Sequence, residues 1–180
     1  MKAAHALCLI IAWVLTGAAR SAAGESLPTK VFILAGQSNM EGNTPASAIP
    51  AEYRGAPTNV TFVHHGRRAV IGGGTTFGPE VAFAHEVAKA RPHREFLLVK
   101  HSVGGTSLAG WAPDWDRSRL PSEYDRKAGP LYQTLLAQYT NAVAGRRVRV
   151  TAVLWMQGES DSRHAEWGPR HFENLSRLIA

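Results

Sequence analysis

The sequence predicts an α/β domain in which a parallel β-sheet is covered by helices on both faces. Three observations carry this expectation. Short continuous apolar runs are too hydrophobic for a sheet wetted on one side, amphipathic helical stretches alternate with them, and Gly and Pro mark the boundaries between the two. With 44% hydrophobic and 19% charged residues over 180 positions, the chain can bury one core of ordinary size. It is too short for two full domains.

The run Val31-Phe32-Ile33-Leu34-Ala35, ended by Gly36, reads as the first buried strand. A short strand is expected at Val60 to Val63. The Gly72-Gly73-Gly74 loop then leads to Gly78-Pro79-Glu80, where Pro in the first turn and an early acid start a helix. That helix runs to about Ala90, with Val81, Ala84, Val87 and Ala88 on one side, before Pro92 stops it. Phe96-Leu97-Leu98-Val99 is the second buried strand. Pro130 opens a helix whose Leu131, Leu135, Tyr139 and Val143 recur every four residues, and Gly145 closes it. Val148 to Met156 gives a third strand, and Pro169 starts a last helix with Phe172, Leu175, Leu178 and Ile179 on its apolar face.

The N-terminus reads as a secretory signal over residues 1–23: Met1-Lys2, an apolar run from Ala6 to Ala19, then Ser21-Ala22-Ala23 for the peptidase. The run, about 14 residues broken by Gly17 and ended by Arg20, is short against the ~20 that span a bilayer. The domain at 24–180 is therefore expected to be secreted or periplasmic, with no stable membrane insertion after cleavage. Cys8 is the only cysteine and lies inside the leader, so no disulfide framework follows. The leader takes two of the 20 Lys and Arg and none of the 14 acids, leaving a mild +4. The basic residues are scattered without interleaved aromatics, which argues against a nucleic-acid partner.

In such sheets ligands sit beyond the carboxyl ends of the strands. Three loops leave those ends. The first, Gly36-Gln37-Ser38-Asn39-Met40-Glu41-Gly42, holds a serine in a sharp turn after a buried strand, where backbone amides point toward whatever the hydroxyl attacks. It differs from the Gly-x-Ser-x-Gly elbow. The second, His101-Ser102-Val103-Gly104-Gly105-Thr106-Ser107, has paired glycines that let backbone approach a ligand closely. The third, Gln157-Gly158-Glu159-Ser160-Asp161, brings a side-chain amide and two acids. Each loop alone is equally a plain turn or cap. Together they bring a serine, amide donors and carboxylates to one edge, the parts of a hydrolytic site.

These segments, with Phe77-Gly78-Pro79-Glu80, occur in an order that resembles the SGNH-type hydrolases, and within them the sialate O-acetylesterase and acetylxylan-esterase-like carbohydrate esterases. The resemblance implies a flavodoxin-like sheet and a serine esterase acting on acetylated carbohydrate, with neither metal nor cofactor. Ser38 would be the nucleophile. The amide of Ser38, an amide near Gly104 or Gly105 and the Gln157 side chain would be oxyanion donors, supported by Gln37, Asn39, Glu159 and Asp161. The wider group usually carries Asn where Gln157 stands. Relatives hold their catalytic histidine in an Asp-x-x-His segment near the C-terminus. The present sequence stops at Ala180 inside the helix after the third loop, so the expectation is an N-terminal portion of the domain without its general base. His164 and His171 are poorly placed to substitute. His64 and His65, adjacent on an expected strand, should face opposite sides.

His101, Trp111 and Trp115 are expected at the substrate rim, where aromatic faces suit sugar rings, although loop packing serves the tryptophans equally. Two further readings stay open: a glycan-binding module that has lost turnover, and an esterase for lipid or thioester substrates. The sequence fixes neither the sugar nor the oligomeric state.

Overall fold

The computed structural model describes residues 27–120, 122–165 and 167–179. The leader expected at residues 1–23 lies outside them. In chain order the elements are β1 (Thr29–Gly36), α1 (Ser38–Glu41), β2 (Thr44–Pro45), β3 (Val60–His64), β4 (Arg67–Ala69), β5 (Thr76–Phe77), α2 (Glu80–Ala90), β6 (Phe96–Ser102), α3 (Glu123–Ala128), α4 (Leu131–Val143), β7 (Val148–Met156), α5 (Glu159–Ser162) and α6 (Gly168–Ile179).

Five strands form one sheet in the order β4-β3-β6-β1-β7. β1, β3, β6 and β7 run parallel, and β4 alone is antiparallel. The register aligns the strand ends: Gly36 lies opposite Ser102 on one side and Met156 on the other. All three expected loops therefore leave the same rim.

Alternation along each strand splits the core between two faces. Leu34, Phe62, Phe96 and Leu98 pack under Val81 and Ala84 of α2. On the opposite face, Ala35, Leu108 and Trp111 meet Leu131 and Leu135 of α4 and Leu175 and Leu178 of α6, while Val31, Leu97 and Val99 meet Tyr139 and Val143. The parallel sheet with helices on both faces is as the apolar runs predict. Phe172 is a correction: it is 80% exposed, and the inward face of α6 is carried by Leu175 and Leu178.

The sheet edge at β4 was not evident from composition, because Arg67-Arg68-Ala69 is a polar strand paired on one side only. His65 corrects a second expectation. It leaves the strand with φ +48° in the turn to β4, so its ring comes within 4.2 Å of the His64 ring, centroid to centroid, instead of facing away. β7 closes the other edge, with Val150, Val153 and Met156 exposed. No described helix is long and apolar enough to cross a membrane.

Candidate active site

Gly36 makes the first loop possible. Its φ is +150°, and a Cβ there would lie 2.0 Å from the carbonyl oxygen of Met156; only glycine lets β1 press this closely on β7 as the chain turns. The amide of Gln37 then donates to the Met156 carbonyl at 2.9 Å. Ser38 opens the single turn α1, half-buried at the rim, where first-turn amides have no intrahelical acceptor. Gly104 backs directly onto it: a Cβ at Gly104 would sit 3.3 Å from Ser38 Cβ. The first and second loops thus meet at the serine.

The third loop joins them through side chains. Gln37, 3% exposed, accepts from the Gly105 amide at 3.1 Å and from the Ser160 hydroxyl at 3.5 Å, so one residue touches all three loops. Asn39 donates to Glu159. Burial works to raise the Glu159 carboxyl, but its own backbone amide, Gln37 and Asn39 outweigh this and hold it below the ordinary glutamate value. Asp161 accepts from the Leu108 amide at 3.0 Å and from the Gln157 side chain. Asp125 accepts from the Ser107 amide at 2.8 Å, from the Ser107 hydroxyl at 3.0 Å and from Ser122 at 2.6 Å. Two buried carboxylates therefore fasten the loop after Gly105.

This bracing engages part of the expected oxyanion set. Gln157 Nε2 gives its hydrogens to Asp161 and to the Thr106 carbonyl. Both neighbours are acceptors, so the amide cannot turn over, and neither N–H remains for an oxyanion. The Gly105 amide is held by Gln37, and the Gly104 amide donates to Glu41 Oε2 at 2.9 Å. The Ser38 amide is left as the donor without such an engagement among the described residues.

The expected rim residues are also redistributed. Trp111 is wholly buried, edge-on to Trp155 at 5.2 Å, and belongs to the core under α4. His101 is 4% exposed. It lies 3.3 Å from both His65 Nδ1 and Gln138 Nε2. Burial first, and then the neighbouring histidines, push its pKa down to about 4. Neither residue is at the rim. Trp115 is half-buried with its indole nitrogen enclosed. His164 stacks on Trp167, and His171 lies beside Gly158. Among the described residues the Ser38 hydroxyl makes no side-chain hydrogen bond.

Sequence reading missed Lys100, Glu41 and Asp125. Lys100 is 1% exposed and directly follows the apolar run Phe96-Leu97-Leu98-Val99 in a strand buried throughout, which was the available signal. Its ammonium meets Glu80 Oε2 at 2.5 Å and the Glu41 carbonyl at 2.8 Å. Glu80 in turn accepts from the Gly78 amide at 3.0 Å, and Gly78 abuts Gly42 at the end of α1. The buried pair thereby clamps the far end of the serine turn.

Ser38 lines an open cavity of about 520 Å³ with Asn39, Asn43, Phe77, Gly78 and Ala82. Among solved structures, a protein from Arabidopsis thaliana superposes with a TM-score of 0.66 at 23% identity, over 85% of this chain and 67% of that one. A carbohydrate acetylesterase from Xanthomonas citri gives a TM-score of 0.54 at 18% identity, over 83% of this chain and 37% of that one. The likeness at these identities is one of fold, and the chain spans only part of each neighbour's length. No curated protein matches the sequence. A family model described as carbohydrate esterase, sialic acid-specific acetylesterase, matches residues 28–180. The chain belongs to that carbohydrate esterase family.

Proposed function

We propose that the protein is an exported carbohydrate O-acetylesterase that works through an acyl-enzyme on Ser38. The observation that carries this reading is the placement of Ser38: half-buried, in the wall of the 520 Å³ cavity, with the backbone of Gly104 against its Cβ. In the reaction, Ser38 Oγ gives its proton to a base and bonds to the acetyl carbonyl carbon. The Ser38 amide holds the oxyanion, joined by the Gly104 amide once Glu41 releases it. The bond to the sugar oxygen then breaks, that oxygen takes the proton, and water repeats the sequence to free acetate. The resemblance implies a histidine as that base. An oxyanion donor is worth roughly 10²–10³ in rate and a positioned base 10²–10⁴. The test is acetate release from acetylated xylan and O-acetylated sialic acid by the full-length protein. Loss of turnover in Ser38→Ala supports the reading, and equal rates overturn it.

One observation favours a second reading, a glycan-binding module without turnover: the amides of Gly104 and Gly105 and the Gln157 side chain are all engaged internally. Glycan binding by the full-length protein with no acetate release would select it.

A further inference from the structure

The end of the sheet opposite Ser38, where the strands begin and α2 and α4 finish, gathers cations that are scattered in the sequence. Lys30 of β1 lies in register with Arg149 of β7 on one side and with Phe96 of β6 on the other. The Arg94 guanidinium, two residues before Phe96, donates to the Pro28 carbonyl at 3.3 Å where the chain enters β1. Lys89 and Arg91 stand at the C-terminal end of α2, and Arg146 follows α4, its amide on the Val143 carbonyl at 2.9 Å. Lys89, Arg91, Arg146 and Arg149 are exposed, and Lys30 and Arg94 are half-buried. Glu95 is the acid among them, while Glu86, a turn earlier on α2, is bonded to Tyr53.

None of these six cations makes an ion pair among the described residues, whereas Arg117, Arg119, Arg126 and Arg177 are each paired with Asp114, Asp116 or Glu123. Lys30 and Arg149, side by side on strands ~4.8 Å apart, repel each other, a cost that an anionic partner removes. Helix C-termini attract cations, but the two that end here carry together only about one elementary charge, too little to account for the whole set. Four of the six are arginines, whose guanidinium forks fit phosphate groups. The exposed aromatics, Tyr124 and Phe172, belong to α3 and α6, so no ring is offered here for stacking on nucleic-acid bases. Leu27, 71% exposed, immediately precedes the Pro28 that Arg94 holds. Cations around an exposed aliphatic side chain match the interface of an anionic bilayer.

We infer that this end of the domain is a peripheral docking surface for an anionic phospholipid membrane. β1 runs eight residues from the cations to the serine loop, so at ~3.3 Å per residue a domain resting on this end holds Ser38 roughly 25 Å from the lipid, with its cleft turned outward. The inference stands apart from the esterase reading, because none of the six cations belongs to the serine site. The test sediments the full-length protein with vesicles of phosphatidylcholine alone or of equal parts phosphatidylcholine and phosphatidylglycerol; the neutral vesicles register any contribution from the apolar N-terminal run. Binding should require the anionic lipid and be lost between about 0.1 and 1 M salt, as the screening length falls from ~10 to ~3 Å. Replacing three exposed cations together, Lys89→Gln, Arg146→Gln and Arg149→Gln, should weaken binding to the anionic vesicles by about 10²-fold at low salt. The triple variant should keep its circular dichroism spectrum and hydrolyse 4-nitrophenyl acetate within about twofold of the parent rate. Equal binding to both kinds of vesicle, unchanged affinity in the triple variant, or no binding to the anionic vesicles would overturn the proposal. Capture by immobilised heparin in the last case would assign the surface to an acidic polysaccharide instead.

Discussion

The carboxylate of Glu41 accepts a hydrogen bond from the amide of Gly104 at 2.9 Å, across the same narrow gap in which Gly104 touches Ser38. A negative group therefore occupies the place where a developing oxyanion would seek a donor. Glu41→Ala should free that amide while leaving the Lys100 contact to the backbone carbonyl intact. The expected outcome is faster turnover of 4-nitrophenyl acetate by the full-length protein, with the gain capped near the ~10²–10³ that one donor supplies. Steady-state kinetics check it, and a tenfold fall would show that the carboxylate itself serves the substrate.

Gln37 has no slack. Replacing it by Leu leaves the Gly105 amide and the Ser160 hydroxyl without their acceptor, at a cost of about 1–3 kcal/mol for buried groups left unpaired. Urea unfolding should show this as a lower midpoint at unchanged slope. Gln37→Glu restores the acceptor but sets a second carboxylate against Glu159, so it should regain stability only at acidic pH.

Removing one member of the Lys100–Glu80 pair exposes the other to an interior it cannot tolerate. Lys100→Met should cost about 3–5 kcal/mol, because Glu80 is left buried without its partner. Adding Glu80→Gln, which keeps an acceptor for Gly78, should recover part of the loss. A double variant no better than the single would mean that the ammonium acts chiefly through its bond to the Glu41 carbonyl. Chemical denaturation of all three proteins decides between them.

Acid should loosen the fold before the carboxylates titrate. Burial first, with neighbouring positive charge, pushes His64 and His101 from the ordinary 6.5 to about 4. Unfolded, each takes a proton below about pH 6.5 that the folded chain refuses until about pH 4, so their contribution is complete above 6.5 and is lost as pH falls. Burial lowers His65 as well, so Tm measured at constant ionic strength should fall between about pH 6.5 and 5 with a slope of about two protons or more, and about one proton less in His101→Leu. A flat profile over that interval would contradict the buried placement of both rings.

The sheet was legible because apolar runs and Gly and Pro boundaries are local signals, and β1, β6 and β7 each carry them. The hairpin strand β4 was not, since a polar three-residue edge strand owes its pairing to β3 and not to its own composition. The convergence of Ser38 and Gly104 could be read from topology alone. What each polar group does with its hydrogens could not: Gln157 is spent on Asp161 and Thr106, and Trp111 vanishes into the core, because those outcomes depend on partners distant in sequence. Asp125 did leave a trace in Ser122-x-x-Asp125, a capping pattern. Lys100 left one too, as a cation directly after the apolar run Phe96-Leu97-Leu98-Val99.

β7 carries nine residues along the margin of the sheet, with Val153 58% exposed and Val150 and Met156 beside it in the open. Among the described residues no strand lies beyond it, and its outer row of amides and carbonyls is a template for any extended chain that arrives, its own or another's. Wherever that edge is left uncovered, sheet growth between molecules follows at high concentration, and a lysine at position 153 is the gatekeeper that would hold separate copies apart.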